Sequence, residues 1–136
     1  MLSFSRQRLW RMRNSVRGFT LIELLVVFAI IALLLTLAVP RYFHSIDTAR
    51  ETILIKNLNI ARESIDKFYQ DNGRYPDSLN ELVEKKYLRS LPVDPIANSA
   101  STWLIAPPDD GGAGNVYDLH SSATGKGRTD IPFADR

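Results

Sequence analysis

From Phe19 to Val39 the chain is almost unbroken apolar sequence, interrupted only by Thr20, Glu23 and Thr36. As a helix these 21 residues rise about 31 Å, enough to cross the hydrocarbon core of a bilayer. Fewer than a hundred residues follow Val39, so any water-facing body buries only a modest core. Such a body needs support from a long helix or from neighbouring copies.

Charge gives the run a direction. Arg6, Arg8, Arg11, Arg13 and Arg17 precede it with no acidic residue among them, whereas only Arg41 stands close behind it. Residues 1–18 are therefore expected to stay in the cytoplasm, and everything after Pro40 to lie across the membrane. Without those five arginines the chain has twelve basic against fifteen acidic residues, a net of about −3, so its basic character belongs to the leader. That asymmetry points to membrane topology and away from nucleic acid. With no cysteine, neither a disulfide nor a thiolate metal site is available. A secretory signal would end in a small-residue cleavage site after a shorter core; Leu34-Leu35-Thr36-Leu37-Ala38-Val39 is a poor one, so we read the run as retained.

Glu23 is the informative residue. A carboxylate at mid-bilayer costs about 2.5–3.5 kcal/mol, less near the interface. Taken alone, it suits either a place among headgroups and water or a pairing with a positive charge inside an assembly, where low dielectric strengthens the pair. Beyond Pro40 the helical pattern continues. Pro40 removes one donor and should kink or loosen the helix without ending it. Leu54, Leu58, Ala61, Ile65 and Phe68 form one apolar stripe, and Ile46, Ala49 and Ile53 a related stripe that drifts around the helix. Arg62 with Asp66, and Glu63 with Lys67, read as solvated pairs four apart. Asn72-Gly73 supplies the stop, predicting one helix over Phe19–Asp71. Ser78 and Glu81 make a capping-box pattern for a short helix over Leu79–Lys86. Thr102–Ala106 and Val116–His120 read as short strands, with no further regular structure expected after Ser121.

The stretch Arg17-Gly18-Phe19-Thr20-Leu21-Ile22-Glu23-Leu24 resembles the cleavage motif of type IV prepilins and type II secretion pseudopilins. The resemblance implies that a prepilin peptidase cuts between Gly18 and Phe19 and methylates the new terminus, an amine with a reference pKa of about 8. It implies that Phe19 of an incoming copy neutralises Glu23 of its neighbour and sets the register of assembly, and that Pro40 is the helix-bending proline. Three further stretches resemble the major pseudopilin of type II secretion: Asn72-Gly73-Arg74-Tyr75-Pro76, Leu91-Pro92-Val93-Asp94-Pro95 and Val116-Tyr117-Asp118-Leu119-His120-Ser121. The implied fold is α+β and pilin-like: a long N-terminal helix, half membrane-spanning and half amphipathic, packed on a small head with a short helix and a small antiparallel sheet. The implied domains are a cleaved leader at 1–18, a membrane and filament-core helix at 19–39, and a periplasmic head at 40–136.

By the same resemblance the function is that of a structural subunit of a secretion pseudopilus, exporting folded proteins under a cytoplasmic ATPase. The implied partners are copies of itself, minor pseudopilins, the prepilin peptidase, an inner-membrane assembly platform and, before assembly, lipid. The implied location is the inner membrane, single-pass. A type IV or competence pilin is the nearest alternative, and a membrane-tethered protein that forms no filament a more distant one. Major pseudopilins also carry an acidic glycine-rich loop that binds calcium. Here the corresponding Ser122-Ala123-Thr124-Gly125-Lys126-Gly127-Arg128 is shortened, has Thr124 in place of an aspartate and carries two cations. Asp130 and Asp135 remain, against the six to eight oxygens that calcium takes. We therefore expect no cofactor.

Enzyme chemistry finds no footing. His44 and His120 lie far apart and read as surface or packing residues. Asp109 and Asp110 solvate a turn, and Ser99, Ser101, Ser121 and Ser122 lack an adjacent base. Gly111-Gly112-Ala113-Gly114 lacks the lysine of a phosphate loop, and Trp103 reads as a core or interface anchor.

Overall fold

The computed structural model describes residues 17–136. Arg6, Arg8, Arg11 and Arg13, and most of the leader expected at 1–18, lie outside them. Helix α1 spans Leu21–Asn72, a single element of 52 residues that continues through Pro40. It begins two residues later than the sequence suggests, because Thr20 caps it. The Thr20 hydroxyl accepts the Glu23 N–H at 3.2 Å, so Phe19 stays outside the first turn. At the other end Gly73 adopts φ 67°, the left-handed residue that closes a helix without a Cβ penalty.

The chain divides into two compact units, one ending at Val39 and one from Pro40 to Arg136. In the first, every described residue is exposed. In the second, the stripe on α1 is the foundation of the core. Leu54, Leu58, Ala61, Ile65 and Phe68 are all buried, together with Leu82, Leu88, Trp103, Val116, Leu119 and Phe133. Each large side chain in that set contributes about 1.5–3 kcal/mol by leaving water. The drifting stripe fares differently: Ile46 is half-buried, while Ala49 and Ile53 are exposed.

Arg62 does not serve the solvated pair with Asp66. Its Nε donates to Asp118 at 2.7 Å and its guanidinium to the Leu119 carbonyl at 3.1 Å, binding α1 to the sheet. The long-range partner wins because Asp118 is only about a quarter exposed, where water competes less than on the open helix face.

Helix α2 spans Leu79–Glu84 and ends before the expected Lys86. Lys86 turns left-handed at φ 64°, and the N–H groups of Tyr87 and Leu88 fold back onto the Leu82 carbonyl. The capping box is present in altered form. Ser78 Oγ accepts the Glu81 N–H at 3.4 Å, but the Glu81 carboxylate reaches the Asp77 N–H at 2.8 Å and the Arg74 guanidinium at 2.5 Å.

The sheet has two antiparallel strands, β1 (Leu104–Ala106) and β2 (Asp118–His120), with Ile105 opposite Leu119. Both are shorter than the sequence suggests. The N–H groups of Asn115 and Val116 go to the Pro76 carbonyl, so the ladder starts only where Tyr117 N–H meets Ala106. Gly114 at φ 102° lies against the Tyr75 backbone so closely that a Cβ would overlap it, and only glycine fits there. Regular structure does continue after Ser121, contrary to expectation: Lys126 and Pro132 form a bridge, and Phe133–Asp135 a 3-10 turn. Pro132 presets φ at −55° for that turn, and the burial of Phe133 anchors it.

Candidate assembly site

Gly18, Phe19 and Thr20 are extended or irregular backbone immediately ahead of α1. Among the described residues, nothing lies within 4 Å of where a Cβ on Gly18 would stand. Phe19 is 87% exposed. Glu23 falls in the first turn of α1, where free N–H groups and the helix dipole favour negative charge. Thr20 and Glu23 also have the spacing of a capping box, a signal available in the sequence that explains why the helix starts where it does. After Glu23 the side chains to Val39 are aliphatic or aromatic apart from Thr36, whose hydroxyl donates to the Leu33 carbonyl at 2.6 Å. The segment is long and apolar enough to cross a membrane. Pro40 lies inside α1, well beyond this terminus.

An exposed surface of that size needs cover. Burying it against lipid or other helices is worth about 25 cal/mol per Å², whereas leaving it in water forfeits all of it. One carboxylate near the start of such a surface marks one axial level along it.

The sequence model of the prokaryotic N-terminal methylation motif matches residues 13–39, a stretch that contains Gly18, Phe19 and Glu23. The type II secretion system core protein G of Pseudomonas aeruginosa is 33% identical over 131 residues, covering 84% of this chain and 88% of that protein. The chain belongs to the core protein G family. The core protein G of Escherichia coli K12 is 30% identical over 128 residues, with 82% and 84% covered. The type IV wide pilus major component PilA4 of Thermus thermophilus is 33% identical over 129 residues, with 83% and 94% covered. No solved structure matches.

As a core protein G homologue the protein is a pseudopilin, and its N-terminal helix is long and apolar enough to cross a membrane. The calcium implied by the resemblance does not fit the head. Among the described residues, no three carboxylates, histidines or cysteines gather where a metal could sit. Asp118 is taken by Arg62. Asp94 is 1% exposed and already accepts the N–H groups of Ile96 and Ala97 at 2.8 and 3.0 Å and the Ser121 hydroxyl. Asp130 and Asp135 are exposed.

The remaining candidates are dispersed. Trp103 is buried, with its Nε1–H donating to the Pro92 carbonyl at 2.9 Å, as suits a core anchor. His44 is exposed, and His120 is half-buried with Nδ1 2.9 Å from the Arg136 carbonyl. Sequence reasoning missed the roles of Asp94, Glu51 and Arg136, because the contacts that decide them are distant: Asp94 with Ser121 is 27 residues apart, and Glu51 with Arg136 is further still. Only a Pro-flanked Asp94, a familiar turn former, gave any local hint.

Proposed function

We propose that this core protein G homologue is the repeating subunit of a type II secretion pseudopilus, assembled by its N-terminal helix and doing no bond chemistry itself. The observation that carries this is the lone carboxylate of Glu23 in the first turn of an exposed apolar helix, four residues after Phe19. A prepilin peptidase cuts the Gly18–Phe19 bond on the cytoplasmic side and methylates the new Phe19 amine, which keeps its positive charge at neutral pH. That ammonium then neutralises Glu23 of an adjacent copy, in surroundings of low dielectric where mismatched register would strand both charges. Residues 19–39 lie in the inner membrane before assembly and in the filament core afterwards, with Pro40 bending the helix. Residues 40–136 face the periplasm, where they meet other copies, minor pseudopilins and the assembly platform, and no nucleic acid.

A type IV pilus is the second reading, favoured by the likeness to PilA4, of which the chain covers 94%. Mass spectrometry of the mature N-terminus tests both against a membrane-tethered protein. Methylated Phe19 is expected, and an uncut leader in the native protein would refute any filament role. Loss of protein secretion on gene deletion, with surface pili intact, separates the first reading from the second.

A further inference from the structure

Residues 121–136 have little regular structure, yet Ser121 and Phe133 are buried. Their own backbone bonds are local: Gly127 N–H to Ile131, Asp130 N–H to Gly127 and Phe133 N–H to Gly125. Phe133 joins the apolar core, and the polar tie between the segment and α1 is Glu51. Its carboxylate accepts the Arg128 N–H through both oxygens, at 3.0 and 3.1 Å, and lies 3.4 Å from a guanidinium nitrogen of Arg136.

The pair is nearly enclosed, with 13% of the Glu51 side chain exposed and 9% of Arg136. The guanidinium also donates to Thr129 Oγ1 at 2.9 Å and sits 5.6 Å from the centre of the Phe133 ring. Among the described residues, Arg136 Nε is buried without a hydrogen-bond partner, a desolvation cost that an intact pair helps to offset. Gly127 packs directly beneath. A Cβ there would stand 2.7 Å from Glu51 Oε2 and collide with the Arg136 guanidinium.

We propose that Glu51 and Arg136 form an internal ion lock that fastens residues 121–136 to α1, so that the head keeps its fold without a divalent cation. A calcium ion closes a loop by drawing several oxygens around one positive charge. Here the positive charge is covalently part of the segment being closed, and one carboxylate on the helix receives it together with a backbone N–H. Removing either partner leaves the other charged and poorly hydrated, which destabilises more than losing the pair as a whole. The lock lies within the head and does not depend on the filament reading.

The test uses the full chain in detergent micelles, read by thermal melting and by trypsin cleavage at Lys126 and Arg128. Millimolar calcium chloride and EDTA are each expected to leave both readouts of the wild type unchanged. Glu51→Gln and Arg136→Gln should each lower the midpoint by about 4–8 °C. Both should also speed cleavage at Lys126 and Arg128 by about tenfold, since cutting follows the open population. Gly127→Ala, which keeps both charges and wedges them apart, should shift both readouts in the same direction. The proposal is overturned if EDTA loosens the wild type as much as Glu51→Gln does. It is equally overturned if calcium raises the wild-type midpoint, or if none of the three variants is cut faster. Should a variant aggregate, the calcium and EDTA measurements on wild type still decide.

Discussion

The two halves of α1 belong to one continuous helix and meet opposite fates. Leu21 to Val39 is the more apolar half, yet all of it is exposed, with Leu21 at 76% and Phe28 at 59%. The half after Pro40 is richly charged, yet Leu54, Ala61, Ile65 and Phe68 are fully buried. Burial therefore follows the presence of a partner and not hydrophobicity. The charged half has its partner in the same chain, and the apolar half must find one outside it. A helix can be finished as secondary structure and still be half a structure.

The sharpest way to break that comparison is to damage each half and ask what fails. Glu23→Val should leave the melting of the head unchanged while filament yield in cells drops at least about tenfold, the effect of losing about 1.4 kcal/mol per contact. Normal filaments on electron microscopy grids would end the register mechanism. Phe68→Ala should do the reverse and unfold the head, costing about 3–5 kcal/mol in denaturant titration. Its ring packs edge-on against Tyr87, and the Arg74 guanidinium lies 5.1 Å from its centre. Ile30→Ala, in the exposed half, should not move that titration.

Arg62→Ala should destabilise the head by about 1 kcal/mol, whereas Asp66→Ala stays near zero. Equal costs would return Arg62 to a local helix pair. The smallest expected effect is on acid sensitivity. The hydrogen bond from Arg74, and after it the Asp77 N–H, hold the Glu81 carboxyl below the usual carboxylate range. A depressed folded pKa stabilises above the unfolded value, and that contribution is lost as the pH falls through the folded one. Melting points collected from neutral to strongly acid pH should thus fall less steeply in Glu81→Gln than in wild type, and parallel curves would remove Glu81 from the account.

What the sequence disclosed is what local periodicity and capping can carry. The apolar run, the stripe from Leu54 to Phe68 and the start of α2 at Leu79 rest on spacings of three and four or on a single cap. The places where expectation and structure part are those decided from afar. Arg62 had an acceptable partner four residues on and took Asp118, 56 residues on. The second strand lost Val116 to the Pro76 carbonyl, and the segment after Ser121 gained order from Phe133 and from Glu51 on α1. Gly18 and Phe19 stood out by their motif, and Glu23 already as a carboxylate inside an apolar run; the register proposed for Phe19 and Glu23 involves a second copy, beyond the reach of one chain's fold.

The arrangement of the core has a consequence for the order of events during synthesis. Five of its side chains lie on α1 between Leu54 and Phe68, while Leu82, Leu88, Trp103, Val116, Leu119 and Phe133 arrive later. The helix is therefore made first and waits with a bare greasy strip until the ribosome has delivered residue 133. Contacts so distant along the chain close slowly, and the interval before closure is when unwanted association is easiest.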